Sequence, residues 1–506
     1  SHRRNKRSPG DDPRAFFAQG NTYMINKPNI LVIMTDHTNA ASLRPDSQCL
    51  TPNLSALSND GVQFENCYTT NAICSPARAS LMTGLYPSSH GVWDVTHAHT
   101  SDWIDAPAGR FIHFAELLSD HGYRNGYFGK WHVEQSNRLE NFGWHEFDVT
   151  GNSLMIDRRR IGDNDYHSSL ELNDEVIVTT DGYPDYLLSA TVTGTDKITH
   201  PAFDQGIDFI ERHLENNGFD IPFTCFISVL EPHDPYLAPK EIMDLYDPTQ
   251  ISLSPSFDDD LETKPEVLKR MRSVWSGMEK SDWQKVVTSY YASITSVDTE
   301  IERVINLLKE KDLYENTVIV FTSDHGDMLG AHGLLTKGVG TGYEEVYNIP
   351  LIVKTPNGCQ LDSTAEIKVS TVDIAPTLLD YAGVEIPSGI HGKSLIPIIS
   401  NTHNKKDWTG SYAEFFSQRF MYTQRITWEG RWKYIFNPAG RDELYDLQDD
   451  PNEMNNLAEC PDFKEVLNDM AREMWRNMER IGDSTLLESG YATLRTAPIG
   501  PLSRFD

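Results

Sequence analysis

Cys74 opens the run Cys74-Ser75-Pro76-Ala77-Arg78, which sets a sulfur nucleophile just ahead of a proline and a stretch of good helix formers. Proline is tolerated in the first turn of a helix, so the run predicts Cys74 at a helix N-terminus. Unpaired N–H groups and a partial positive charge there suit an anion. Arg78 follows at i,i+4 and shares that helix face. Acids, imidazoles and amines gather at four other places, each just past an apolar run. Ile30 to Met34 leads to Thr35-Asp36-His37, and Val318 to Phe321 leads to Ser323-Asp324-His325-Gly326. Phe223 to Leu230 leads to Glu231-Pro232-His233, and Tyr123 to Phe128 leads to Gly129-Lys130-Trp131-His132. One such ending says little, because loops are polar. Four that all deliver Asp, His or Lys favour a shared site. Taken singly, Cys74 also reads as a buried thiol, Lys130 and Lys337 as surface lysines, and His132 and His233 as hydrogen-bonded structural histidines. His97 and His99 form a His-x-His pair that suits a substrate contact better than a metal.

The apolar runs must be strands. They are short, continuous and β-branched, as in a parallel sheet covered on both faces, where ligands bind beyond the strands' C-terminal ends. Helical periodicity fills the gaps over Phe111 to His121, Pro201 to Asn216 and Trp283 to Lys311. This alternation predicts an α/β fold, a large doubly wound sheet flanked by helices. Leu253 to Asp282 is polar and reads as an exposed loop-and-helix insertion. From about Asn401 the pattern changes. Trp428, Trp432, Tyr434 and Phe436 surround Gly430-Arg431 as in an antiparallel hairpin, and Phe463 to Ile481 has helical spacing. The expected organisation is a basic tail or linker over 1–26, a catalytic domain over 27–400 and a C-terminal α+β subdomain with an antiparallel sheet over 401–506.

The 506 residues carry 44 Lys and Arg against 74 Asp and Glu, a net charge of -30. Nucleic acid is therefore excluded as a partner, and an anionic substrate would need a local positive island. Six scattered cysteines without a CxxC pair exclude a zinc ribbon and argue against a disulfide framework. No segment has the apolar length needed to span a bilayer. The basic start, Ser1 to Arg7, lacks a following apolar stretch and is not an intact signal peptide. Export, with the signal absent from this chain or as a module of a larger exported protein, is the expectation.

The run from Cys74 through Thr83-Gly84, with Pro87 and His90-Gly91 after it, closely resembles the type I sulfatases of the alkaline phosphatase superfamily. Their motif Cys-x-Pro-x-Arg is the site where a maturation enzyme oxidises cysteine to formylglycine. The resemblance implies an alkaline-phosphatase-like fold and a sulfate ester hydrolase. The hydrated aldehyde of residue 74 would attack sulfur, and its second hydroxyl would later expel sulfate. It implies a divalent cation, Ca²⁺ with Mn²⁺ or Mg²⁺ as alternatives, held by Asp36, Asp324, His325 and modified Cys74. Arg78 would orient the modified residue, Lys130 and Lys337 would bind sulfate, His132 would lie near the diol, and His233 would serve the leaving group. The family commonly ends its first strand in two carboxylates. Here the second is His37, a metal ligand or a neighbour of one, as in the branch that includes choline sulfatase and phosphonate monoester hydrolases. Further matches lie at Val372 to Leu379 and at Leu444 to Leu447 with Asp450-Pro451.

A sulfated polysaccharide or oligosaccharide is the expected substrate, and ulvan the sharper guess. The Trp93 to Trp103 loop and the arginines Arg158 to Arg160, Arg425 and Arg431 suit a polyanion. The alternatives are a phosphonate monoester or phosphodiester hydrolase, and a non-catalytic module that binds sulfated glycans.

Overall fold

The computed structural model describes residues 27–96, 111–150, 171–172, 177–178, 187–193, 199–356, 358, 364, 367–484 and 496–500. His97, His99, Arg158 to Arg160 and Cys359 lie outside the described residues. The central sheet has eight strands. Their spatial order is β12 (Val369–Ser370), β2 (Val62–Tyr68), β11 (Asn348–Lys354), β10 (Thr317–Ser323), β1 (Asn29–Asp36), β8 (Phe223–Pro232), β3 (Arg124–Gly129) and β4 (Glu146–Asp148). β10, β1, β8, β3 and β4 run parallel, and β11 runs against both of its neighbours. The sheet is therefore mixed.

The alternation of a strand explains how it is covered on both faces. Ile30, Val32 and Met34 point into one core with Phe114, Leu118 and Leu378 from helices Phe114–Asp120 and Ile374–Tyr381. Leu31 and Ile33 point into the other, against Phe209, Val297 and Ile301 from helices Pro201–Asn217 and Lys280–Glu310. All five side chains of β1 from Ile30 to Met34 are fully buried, which contributes about 1.5–3 kcal/mol each.

The long periodic segment is one helix of 31 residues. The helix expected from Phe111 begins at Phe114, because Glu116 turns back to accept a hydrogen bond from His113 N at 2.8 Å and caps the first turn. The insertion after Leu253 contains helix Glu266–Ser273. A second, antiparallel sheet follows the order β13 (Gly410–Ser417), β14 (Met421–Glu429), β15 (Trp432–Phe436) and β16 (Glu443–Asp446), and helix Lys464–Ile481 packs on it. Gly430, with φ +55, makes the hairpin turn between β14 and β15. A small third sheet joins β5 (Glu171–Leu172), β6 (Ile177–Val178), β7 (Leu187–Thr193) and β9 (Tyr236–Pro239), and was not legible in the sequence.

Candidate active site

The parallel strands β1, β8, β10 and β3 all end at one edge, and the helix Cys74–Thr83 starts against it. At that edge the chain leaves regular geometry. His37 and His132 adopt φ of +73 and +53, a conformation that costs a non-glycine residue about 1–3 kcal/mol. Gly129 has φ +103, and a side chain there would collide with the Ser228 carbonyl of β8. Only glycine lets β3 pass so close to β8 and then release Lys130, whose backbone N–H donates to that same carbonyl at 2.8 Å.

Cys74, Asp36, Asp324, His325 and Arg78 form a buried floor. Cys74 Sγ lies 3.2 Å from His325 Nε2 and 3.8 Å from Asp36 Oδ1. His325 Nδ1 donates to the Gly326 carbonyl at 2.9 Å, which leaves the Nε2 lone pair facing the sulfur. Arg78 Nε donates to Asp324 Oδ2 at 2.7 Å, and Nη1 donates to both the Lys130 carbonyl at 2.8 Å and Ser228 Oγ at 2.9 Å. The third nitrogen, Nη2, stands 3.6 Å from Asp36 Oδ2. Arg78 thus grips the two carboxylates beside Cys74 rather than Cys74 itself.

His132, His233 and Lys337 are partly exposed and form the mouth. Lys130 Nζ donates to Asp36 Oδ2. Lys337 Nζ contacts His37 Nε2 and lies 3.3 Å from His233 Nε2. His37 and His233 each hold Nδ1 on an oxygen, Asp327 Oδ2 at 2.8 Å and the Asp234 carbonyl at 2.6 Å, so both turn Nε2 inward. Burial opposes charge on Cys74, but the ammonium groups of Lys130 and Lys337 hold its thiol well below the usual range. Burial and the neighbouring Cys74 likewise oppose charge on Asp36, and Lys130 with His233 and His37 still holds it well below the carboxylate range. Burial and the Lys130 charge push His132 down to about 4, so it is neutral at pH 7. The site is a local cationic mouth over an acidic floor in a chain of net charge -30.

Ligand atoms of Asp36, Cys74, Asp324 and His325 all lie within 4.8 Å of one another, and so do those of Asp36, His37, Cys74 and His233. Both are donor sets for one cation, and they share Asp36 and Cys74.

Residues 28–384 match the family model Sulfatase. The chain belongs to the sulfatase family. It is a sulfuric ester hydrolase by descent, and residues 330–480 also match the model for the C-terminal region of N-sulphoglucosamine sulphohydrolase. The sulfatase is 29% identical to the sulfatase YidJ of Escherichia coli (strain K12), covering 91% of this chain and 88% of that one. It is 28% identical to an N-acetylglucosamine-6-O-sulfatase of Bacteroides thetaiotaomicron, over 85% and 82% of the two chains. It is 27% identical to an ulvan-active sulfatase of Formosa agariphila, over 90% and 82%. Among solved structures, a phosphonate monoester hydrolase of Agrobacterium radiobacter shares the fold with a TM-score of 0.72 at 22% identity, over 90% of this chain and 96% of that one. One solved with D-glucosamine-2-N,6-O-disulfate gives 0.71 at 22% identity, over 91% and 99%. No helix among the sulfatase's described residues is long and apolar enough to cross a membrane.

One expectation needs correction. Arg425 of the sulfatase is fully buried in β14, with Nε on Asp483 at 2.8 Å and its charge 4.3 Å above the Phe416 ring. Its guanidinium is engaged inside the antiparallel sheet and is not presented to substrate. Arg431 pairs with Asp446 and Asp449 and keeps 35% of its side chain exposed. The sequence reading also passed over Asp327. It accepts from His37 and from Tyr236 Oη at 2.8 Å each, and from Leu329 N and Thr336 N at 2.9 Å each. Asp327 stands three residues after Asp324 in an already suspect run, which was the available signal.

Proposed function

We propose that this sulfatase hydrolyses sulfate esters of carbohydrates, using formylglycine made from Cys74 by a maturation enzyme, with a divalent cation held by Asp36, Asp324, His325 and residue 74. The observation that carries this reading is the convergence of Cys74 with three metal-type donors beneath two lysines. Cys74 Sγ stands in for an oxygen of the mature residue.

The donor set fits a cation. The separations of His325 Nε2 from Cys74 Sγ, Asp36 Oδ1 and Asp324 Oδ1 are 3.2, 3.6 and 3.7 Å. The carboxylate oxygens suit Ca²⁺ or Mg²⁺, and the imidazole nitrogen keeps Mn²⁺ in play. A bound cation supplies Lewis acidity and neutralises sulfate oxygens. Chelation is expected to remove bound metal and activity together, with Ca²⁺ restoring both; metal analysis alongside rates checks this, and full activity in verified metal-free protein would refute it.

The chain's own groups divide the remaining work. Arg78 holds the carboxylates of Asp36 and Asp324 in place. Lys130 and Lys337 face the sulfate oxygens, and His233 gives a proton to the departing alkoxide. A sugar alcohol leaves poorly without that proton, and general acid catalysis is worth about 10²–10⁴-fold. His233→Ala is therefore expected to lose most of this factor on a sugar sulfate and little on nitrophenyl sulfate. Lys130→Ala and Lys337→Ala should harm both substrates alike. Equal losses on both substrates in His233→Ala would remove it as the acid.

The sugar-sulfatase relatives support the substrate class. Ulvan is the sharper proposal within it, supported by the relative of that name. Hydrolysis of phosphonate monoesters or phosphodiesters is a second reading, supported by His37 in place of a second carboxylate and by the shared fold. The ratio of kcat/KM for nitrophenyl sulfate and a phenyl phosphonate ester separates the two. We further propose a division at residue 400 between a catalytic domain and a C-terminal subdomain, and export of the protein.

A further inference from the structure

The hairpin joining β13 and β14 ends in Gln418-Arg419-Phe420, closed by the pairing of Ser417 with Met421. Phe420 is 60% exposed and Met421 80%. Among the described residues this is the one place where two such exposed large apolar side chains are sequence neighbours. Exposed apolar surface of this kind is disfavoured in water and marks contact surfaces.

Hydrogen bonds anchor the tip. Gln418 N donates to the Phe420 carbonyl at 3.4 Å. Asp94 Oδ2 accepts from Ser417 Oγ at 2.7 Å and from Arg419 N at 2.6 Å, while Arg419 adopts φ +63. Behind the tip, Phe416 stacks on Trp93 with ring centroids 5.1 Å apart.

Both anchors of the tip lead to the active site. Two residues after Asp94, Thr96 N donates to Ser75 Oγ at 3.1 Å, next to Cys74. On the other side the Gln418 carboxamide packs on Gly338 so closely that a side chain at Gly338 would collide with it, and Gly338 follows Lys337. Phe420 lies two residues beyond Gln418, about 7 Å of chain at most. The hairpin tip is thus anchored to the two segments that carry Cys74 and Lys337.

We propose that Phe420 and Met421 form a ledge that receives the pyranose ring neighbouring the sulfated one in an oligosaccharide substrate. The inference rests on the carbohydrate reading of the site. A pyranose offers an apolar C–H face and polar hydroxyl edges, so a flat ring and a flexible thioether beside a cationic mouth match it. The ledge makes no contact with the reacting sulfate and acts on binding.

The test compares Phe420→Ala and Met421→Ala with the parent. The substrates are a panel of sulfated monosaccharides, each matched by an oligosaccharide ending in the same sulfated ring, and nitrophenyl sulfate. Both changes are at the surface, and thermal unfolding checks that the fold is kept. For the oligosaccharides KM should rise about two- to tenfold at unchanged kcat. Monosaccharides and nitrophenyl sulfate should be unaffected. Equal effects on all three substrates, or none on the oligosaccharides, overturn the ledge and leave the carbohydrate reading intact. A parent that cleaves nitrophenyl sulfate but no sugar overturns both. Conversion of a parent dimer to monomers by either variant, seen in sedimentation, assigns the surface to a second copy and overturns the proposal.

Discussion

Cys74→Ser is expected to cut turnover by about 10⁴-fold or more while leaving the protein folded. The substitution changes one buried atom at the start of helix Cys74–Thr83, where sulfur is 3.2 Å from His325 Nε2. A serine hydroxyl keeps an oxygen near the donor set and can still attack sulfur. It has no second hydroxyl to release the sulfate, so a fraction of the variant should carry sulfate on residue 74 after incubation with substrate. The checks are the steady-state rate, a circular dichroism melt, and the mass of the peptide containing residue 74. A serine variant that turns over at the parent rate would contradict the account.

Arg78→Ala is expected to harm both stability and metal binding. Arg78 is fully buried, faces Asp324 at 2.7 Å and Asp36 at 3.6 Å, and also satisfies the Lys130 carbonyl. Burial works against its charge, and the two carboxylates hold it on, which raises its pKa further above the ordinary arginine value. Deleting it leaves two carboxylates in a dry site with one countercharge fewer. Breaking a buried ion pair from one side costs about 3–5 kcal/mol. The unfolding midpoint should fall by many degrees, and metal titration should give weaker binding because the carboxylates are no longer aimed. Arg78→Lys should recover little, since one ammonium cannot reach the carboxylates, the Lys130 carbonyl and Ser228 at once. A variant with parental stability and metal affinity would remove Arg78 from this role.

The site was legible where the sequence concentrates its signals. β1, β8 and β10 are continuous β-branched runs buried on both faces, and such runs end where a parallel sheet opens. That is why Asp36, Asp324, His325 and His233 could be gathered before any coordinates. The six residues from Arg124 to Gly129 gave a weaker signal, because Gly126 and Asn125 interrupt the apolar pattern. The two-residue strands β5, β6 and β12 carry no period to read. Arg425 was misjudged because its partner, Asp483, lies 58 residues away, and a lone arginine on a strand does not announce which carboxylate it will meet. Asp327 was missed for a related reason. Its four hydrogen bonds come from the residue after β1, from β9 and from the loop before Lys337, and only the fold brings these together.

The most direct test is the mass of the Cys74 peptide from enzyme that is fully active on a sulfate ester. The account predicts a peptide that has lost one sulfur and two hydrogens and gained one oxygen, in a fraction that tracks specific activity across preparations. Full activity in protein whose Cys74 peptide keeps the unmodified thiol throughout would contradict it.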